Sequence, residues 1–213
     1  DSWLRITPER VDIRELLDDL RLRFSRDALS KDLSFEYQIE DEVPAQLETD
    51  PHRLQQILNN LLSNAIKNTR AGGIRMQVLV RNGPSATDHY LIFRITDTGP
   101  GMTRPQLERL VSSETQRIPR SHRGGSGLGL YVVQQILRVW GGWFDVESLP
   151  EQGTTFLVGI PLPAETIPPG VASISEPTPA AHDQQLVLAG NWRMLYVDDS
   201  DVNRLYVSAL GQS

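Results

Sequence analysis

The 213-residue chain contains no cysteine, which excludes a disulfide scaffold, thiolate zinc sites and a cysteine nucleophile. Histidine is scarce as well, at four residues, so a multi-histidine metal site is not expected. No apolar run approaches the about 20 residues that a membrane helix requires, and direct membrane contact by this segment is not expected. Basic residues are in deficit: 21 Lys+Arg against 27 Asp+Glu leave a formal charge of −6. That balance, with a pI near 5.2, argues against a surface built for nucleic acid. No methionine opens the chain and no signal-like segment follows, so it reads as a piece of a longer protein whose targeting is not visible here. What remains, 39% hydrophobic and 23% charged residues, suits one globular domain with some chain to spare.

Apolar residues at helical spacing from Val11 to about Ser30 predict an amphipathic helix with Asp12 as N-cap. Leu33 to Ile39 alternates apolar and polar residues and predicts a half-buried strand. A second helix is expected from Asp50, which can cap with Pro51 behind it, to about Asn68, stopped by Arg70-Ala71-Gly72-Gly73. Strands at Ile74 to Arg81 and His89 to Thr96 flank the turn residues Asn82-Gly83-Pro84 and predict an antiparallel hairpin. Helical spacing is weak in Pro105 to Val111, and Ser112 to Ser126 reads as a polar, mobile loop. An apolar helix, Leu128 to Trp140, closes at Gly141-Gly142, and Trp143 to Ser148 with Thr154 to Ile160 predict a last hairpin. Residues 163–190 are a proline-rich linker. Residues 191–213 offer one strand and one helix, too little to bury a core of their own.

Three segments carry chemistry. On the second helix, Leu54, Leu58, Leu61 and Ala65 share one face while Asn60, Asn64 and Lys67 share another. Asparagine is a poor helix former, and its recurrence one turn apart beside a cation suits a magnesium polyphosphate; a solvated polar stripe is the first reading of this segment on its own. Asp97-Thr98-Gly99-Pro100-Gly101 follows a strand directly. There an acceptor-only carboxylate could hold an exocyclic amine, and Gly99 and Gly101 could let backbone approach a base. Gly124-Gly125-Ser126-Gly127-Leu128-Gly129 runs into a helix N-terminus, where free N–H groups suit phosphate. A dinucleotide fingerprint fails because its third glycine would fall on Leu130, and a Walker loop fails for want of a Lys-Ser/Thr pair.

Taken in order, Asn60/Asn64/Lys67, Asp97-x-Gly99-x-Gly101, Gly125-x-Gly127-x-Gly129 and Gly153-Thr154-Thr155-Phe156 resemble the N, G1, G2 and G3 boxes of sensor histidine kinases, members of the GHKL superfamily. The resemblance covers about Leu4 to Leu162, within an expected ATP-binding catalytic domain of residues 1–162. It implies a two-layer α/β sandwich, a mixed sheet of about five strands with three helices on one face. It further implies ATP and Mg2+ as cofactors. Asn64 would be the magnesium ligand, Asn60 would line the phosphate and metal region, and Lys67 would contact phosphate, so that Asn60 and Lys67 are the catalytic candidates. Asp97 would take the adenine amine, with Thr154 and Thr155 beside it. The loop Gly125, Gly127, Leu128, Gly129 would cover the triphosphate; by charge and position alone, Arg117, Arg120 and Arg123 are candidates for its γ-phosphate.

The chain departs from that family at Asn68, where an aromatic is usual, and in lacking phenylalanine from Leu107 to Thr115. No phosphoacceptor-histidine box is present, so the implied substrate lies on the dimerisation and phosphoacceptor domain of a parent kinase. The tail Met194-Leu195-Tyr196-Val197-Asp198-Asp199 resembles the start of a response-regulator receiver domain, in which paired acids hold magnesium. The resemblance thus implies the catalytic part of a hybrid kinase, working in the cytoplasm whether or not its parent is membrane-anchored. Two rivals are a GHKL ATPase, which would need a carboxylate at the position of Asn60, and a non-catalytic regulatory module on the same fold.

Overall fold

The computed structural model describes residues 5–83, 89–111 and 128–163. Outside these lie the expected loop after Val111, with Arg117, Arg120, Arg123, Gly125 and Gly127, and also the linker and the receiver-like tail with Asp198 and Asp199.

Helix α1, Ile13–Leu29, starts where Asp12 accepts hydrogen bonds from the backbone N–H groups of Arg14 and Glu15. It buries Ile13, Leu16, Leu17, Leu20, Phe24 and Ala28, one stripe at helical spacing. Before it, β1 (Glu9–Asp12) pairs antiparallel with β3 (Gln46–Thr49), a two-stranded sheet. Neither strand was expected. At four residues each they are too short to show an alternation, and the helical spacing that starts at Val11 begins inside β1, so α1 starts two residues later than expected.

The main sheet has five strands in the order β2-β4-β5-β7-β6. These are β2 (Ser34–Ile39), β4 (Gly73–Asn82), β5 (His89–Asp97), β6 (Trp143–Leu149) and β7 (Gly153–Leu162). Only β2 runs parallel to its neighbour, because the chain crosses over through β3 and helix α2 (Pro51–Asn68) before returning as β4. The other pairs are antiparallel, and both expected hairpins are present.

Register fixes the faces. Met76, Ile95 and Phe156 lie side by side across β4, β5 and β7, as do Val78, Phe93 and Val158. All are buried, and they form the core with the apolar stripes of the helices. Helix α1 lies against β2, α2 against β4 and β5, and α4 (Leu128–Trp140) against β6 and β7. The expected three-helix layer is present, with a fourth, short helix added to it: α3 (Arg104–Val111) sits by β6, and the Leu110 carbonyl accepts from Gln134 of α4. No helix among the described residues is long and apolar enough to cross a membrane.

Candidate functional site

Helix α2 is anchored at its start by Asp50, which is buried. One carboxylate oxygen caps the Arg53 N–H at 3.0 Å while the other accepts from the Thr7 N–H at 2.8 Å and the Thr7 hydroxyl at 3.2 Å. Burial alone would raise the carboxyl's pKa. The two N–H donors, the hydroxyl and the Arg53 charge outweigh it and hold the carboxyl below its ordinary range. The incoming chain is thus tied to the first turn of the helix that carries Asn60, Asn64 and Lys67. The helix ends at Thr69, whose N–H and hydroxyl both bond to the Ala65 carbonyl.

Leu54, Leu58, Leu61 and Ala65 are buried, so the opposite stripe of α2 is left for Asn60 and Asn64, both half-buried, and exposed Lys67. Gly129, in the first turn of α4, lies over that stripe: a Cβ there would stand 3.1 Å from the Asn60 Oδ1. Asn60 and Gly129, 69 residues apart in sequence, are therefore brought together by α2 and α4, helices that pack against each other. The structure gives Leu128 its place in α4 and nothing more.

Asp97 ends β5 on the helix side of the sheet and is 4% exposed. Its Oδ1 accepts the Gly99 N–H at 2.8 Å, and the Thr154 N–H donates to the same carboxyl. Burial raises its pKa, and those two donors offset part of the rise. A Cβ on Gly99 would be 3.3 Å from the Asn68 carbonyl, so the end of α2 closes over this turn. Gly101 has φ of 64°, and a Cβ there would run into the Leu149 carbonyl; Gly153, with φ of 90°, would likewise strike the Asp97 carbonyl. These two glycines let the turn after β5 lie flat on the turn between β6 and β7.

Thr154 is the register partner of both Asp97 and Ser148 and shares their face. Ser148, which the sequence reading did not single out, is the hub that joins these turns. Its hydroxyl accepts from the Met102 N–H at 2.8 Å, bonds to the Gly153 carbonyl at 2.9 Å and meets the Thr154 hydroxyl at 2.9 Å. The only signal for it in sequence is a hydroxyl two residues beyond Val146 on the inward parity of β6. The family resemblance implies a place for Thr155 beside Asp97, but Thr155 turns to the other face of the sheet, where its hydroxyl lies 3.0 Å from that of Thr96. Consecutive strand residues point to opposite faces, so Thr154 and Thr155 cannot share a pocket.

The site therefore joins a buried carboxylate with open acceptor capacity, a row of amides, a cation and a helix N-terminus. A match to the family described as histidine kinase-, DNA gyrase B- and HSP90-like ATPases extends over residues 49–164 and takes in every one of these features. The chain belongs to that family. Among its relatives in the family is the sensor histidine kinase RcsC of Escherichia coli K12, 35% identical over 162 residues, which are 75% of this chain and 16% of that protein. Sensor protein EvgS of the same strain is 28% identical over 203 residues, 94% of this chain and again 16% of the relative. The present chain thus spans a small fraction of these proteins. Among solved structures of this ATPase fold, full-length ShkA in complex with AMPPNP aligns with a TM-score of 0.61 at 28% identity, over 75% of this chain and 32% of that one. The mycobacterial sensor histidine kinase MprB aligns at 0.56 and 26% identity, over 74% of this chain and 99% of that one.

Proposed function

We propose that this chain binds Mg-ATP and donates the γ-phosphoryl group to a histidine on a separate phosphoacceptor domain, as the catalytic part of a hybrid sensor kinase in a two-component phosphorelay. The observation that carries the nucleotide reading is the placement of Asp97. It is a buried, acceptor-only group held by two backbone donors at the end of α2, with oxygen capacity left for an exocyclic amine. Its relatives RcsC and EvgS are a sensor kinase and a sensor protein, and the ShkA complex contains an ATP analogue in the matching fold.

In this reading Asp97 takes the adenine amine, Gly99 and Gly101 bring backbone to the base, and Thr154 orders the pocket's back wall through Ser148. Lys67 meets phosphate, and the loop through Gly125, Gly127, Leu128 and Gly129 covers it. No cluster of three acidic or histidine side chains suited to a metal occurs among the described residues. Amide oxygens of Asn64 and Asn60 nonetheless fit magnesium, which usually takes few protein ligands and the substrate's phosphates. When bound, the ion would neutralise charge on those phosphates. Phosphoryl transfer asks for positioning and charge stabilisation more than covalent help, which is what this residue set offers.

Asn60 also weighs against a GHKL ATPase. An amide cannot accept a proton from water, so hydrolysis should be slow while transfer to a positioned imidazole is retained. The partners in this reading are the dimerisation and phosphoacceptor domain of the parent and a receiver domain, and the working compartment is the cytoplasm. Incubating the chain with γ-labelled Mg-ATP, alone and with the phosphoacceptor domain, tests it. Acid-labile label is expected on the added domain alone. Brisk ATP hydrolysis, label on this chain alone, or no label on either would each overturn the reading.

A further inference from the structure

The face of the main sheet that α1, α2 and α4 leave uncovered is divided in two. One register row crosses four strands as Leu79, Ile92, Gly159 and Trp143, and the row beside it holds Tyr90 and Pro161. On the other side of the apolar row come Gln77, Arg94, Leu157 and Asp145, and beyond them Arg75, Thr96, Thr155 and Glu147. An antiparallel sheet open on one side should be polar there, and half of this face obeys. The other half does not. Leu79 and Ile92 are 5% and 8% exposed on it, while Tyr90, Trp143 and Pro161 are half-buried.

The row is built for a flat contact. A Cβ on Gly159 would run into the Trp143 indole, so glycine lets that ring lie down across β7 toward Ile92. Tyr90 stands next to it, ring centroids 6.4 Å apart and planes inclined at 59°. Two inclined aromatic rings on a shallow apolar surface are the usual receptor for a polyproline II segment, whose ordering cost is low.

We propose that this shelf is occupied by the chain's own proline-rich segment after β7, residues 164–174. The described chain leaves β7 at Leu162, one residue after Pro161, which is itself part of the shelf. Ile167-Pro168-Pro169 begins five residues on, followed by Val171 and Ile174. At about 3.1 Å per residue, 164–169 reach roughly 19 Å. The shelf from β4 to β6 is three strand spacings wide, roughly 14 Å. From 164 to 174 the sequence has a single ionisable residue, Glu165, so the segment brings almost no charge to be desolvated on an apolar surface. The proposal is independent of the nucleotide site, which lies on the opposite face.

Because the chain has no cysteine, Ala172→Cys supplies a single thiol for a nitroxide label on the full chain. The expected result is loss of the methyl signals of Leu79 and Ile92 and of the Trp143 indole N–H signal, while Leu22 and Leu29, exposed on the outer side of α1, keep theirs. Adding Ile167→Ser, Pro168→Ser and Pro169→Ser keeps the tether length and should restore the lost signals. Absence of the loss, or its persistence in the triple variant, would overturn the proposal. So would a loss seen only when labelled and isotope-enriched chains are mixed, which would place a second copy on the shelf.

Discussion

Replacing Asp97 with asparagine changes charge and hydrogen-bond sense at nearly constant volume, and the geometry allows the result to be worked out. The carboxylate accepts from the Gly99 and Thr154 N–H groups and keeps capacity for a ligand amine. The amide has one oxygen. Either its NH2 faces one of those N–H donors, or it faces the incoming amine. The first outcome orphans a buried donor at about 1–3 kcal/mol, while relief of a buried charge offsets a similar amount, so the unliganded protein should lose little stability. The ligand has no such compensation. A charge-assisted hydrogen bond is worth about 1.5–3 kcal/mol, or roughly 10- to 150-fold in affinity at about 1.4 kcal/mol per decade. Calorimetry with Mg-ADP should show that loss, and Mg-tripolyphosphate should bind as before, since phosphates would not touch Asp97. Unchanged ADP affinity, or an equal loss for both ligands, would refute the reasoning. The wild type should show a pH signature that the variant lacks. Burial raises the folded pKa, so Asp97 favours folding fully below its ordinary pKa and loses that contribution as pH rises through the folded value. Conversely, on acidification the carboxylate protonates early, and ADP affinity should begin to fall above the usual aspartate range.

Ser148→Ala removes the hydroxyl shared by Met102, Gly153 and Thr154; it should cost about 1–3 kcal/mol in urea unfolding and weaken ADP more than tripolyphosphate, with Ser148→Thr restoring part of both. Asp50→Ala should cost about 0.5–2 kcal/mol as a lost cap and speed amide exchange in the first turn of α2. Asp50→Ser, which can cap but not reach Thr7 as well, should protect that turn while freeing the exchange of Thr7. The stability Asp50 contributes is present above its ordinary pKa and lost as pH falls through its lowered one, so the acid limb of a stability profile should flatten in Asp50→Ala. Thr154→Val should weaken ADP binding, and Thr155→Val should leave it unchanged by the same calorimetry.

Long elements were legible because their periodicity is long. The seventeen residues of α1 and eighteen of α2 repeat the apolar stripe often enough to be seen, and Asp12 and Asp50 mark their starts. The strands β1 and β3 gave no such signal, since four residues exhaust an alternation before it can be distinguished from chance. In the site, the glycines and Asp97 stand out by residue type. Ser148 does not, because its role comes from three partners brought to it by the packing of two turns. The tie from Thr7 to Asp50 spans 43 residues and depends on the β1–β3 pairing, which no local pattern announces.

The threonine pair shows why residue type and spacing stop short of a site. Gly153-Thr154-Thr155-Phe156 can be read off the chain, but which hydroxyl shares the face of Asp97 depends on where β7 pairs with β5. A slip of one residue would carry Thr155 to the helix face and Thr154 outward, and would also bury Leu157 in place of Phe156 and Val158. The buried set forbids it: Ile95, Phe156 and Val146 are side by side, as are Phe93, Val158 and Phe144, with the two last aromatic rings of β6 and β7 stacked at 5.8 Å. Hydrophobic register between the strands thus selects the polar residue at their end. The same alternation places Gly159 and Trp143 on the outer face, so the packing that sets Thr154 on the face of Asp97 and Ser148 also assigns the indole to the opposite surface.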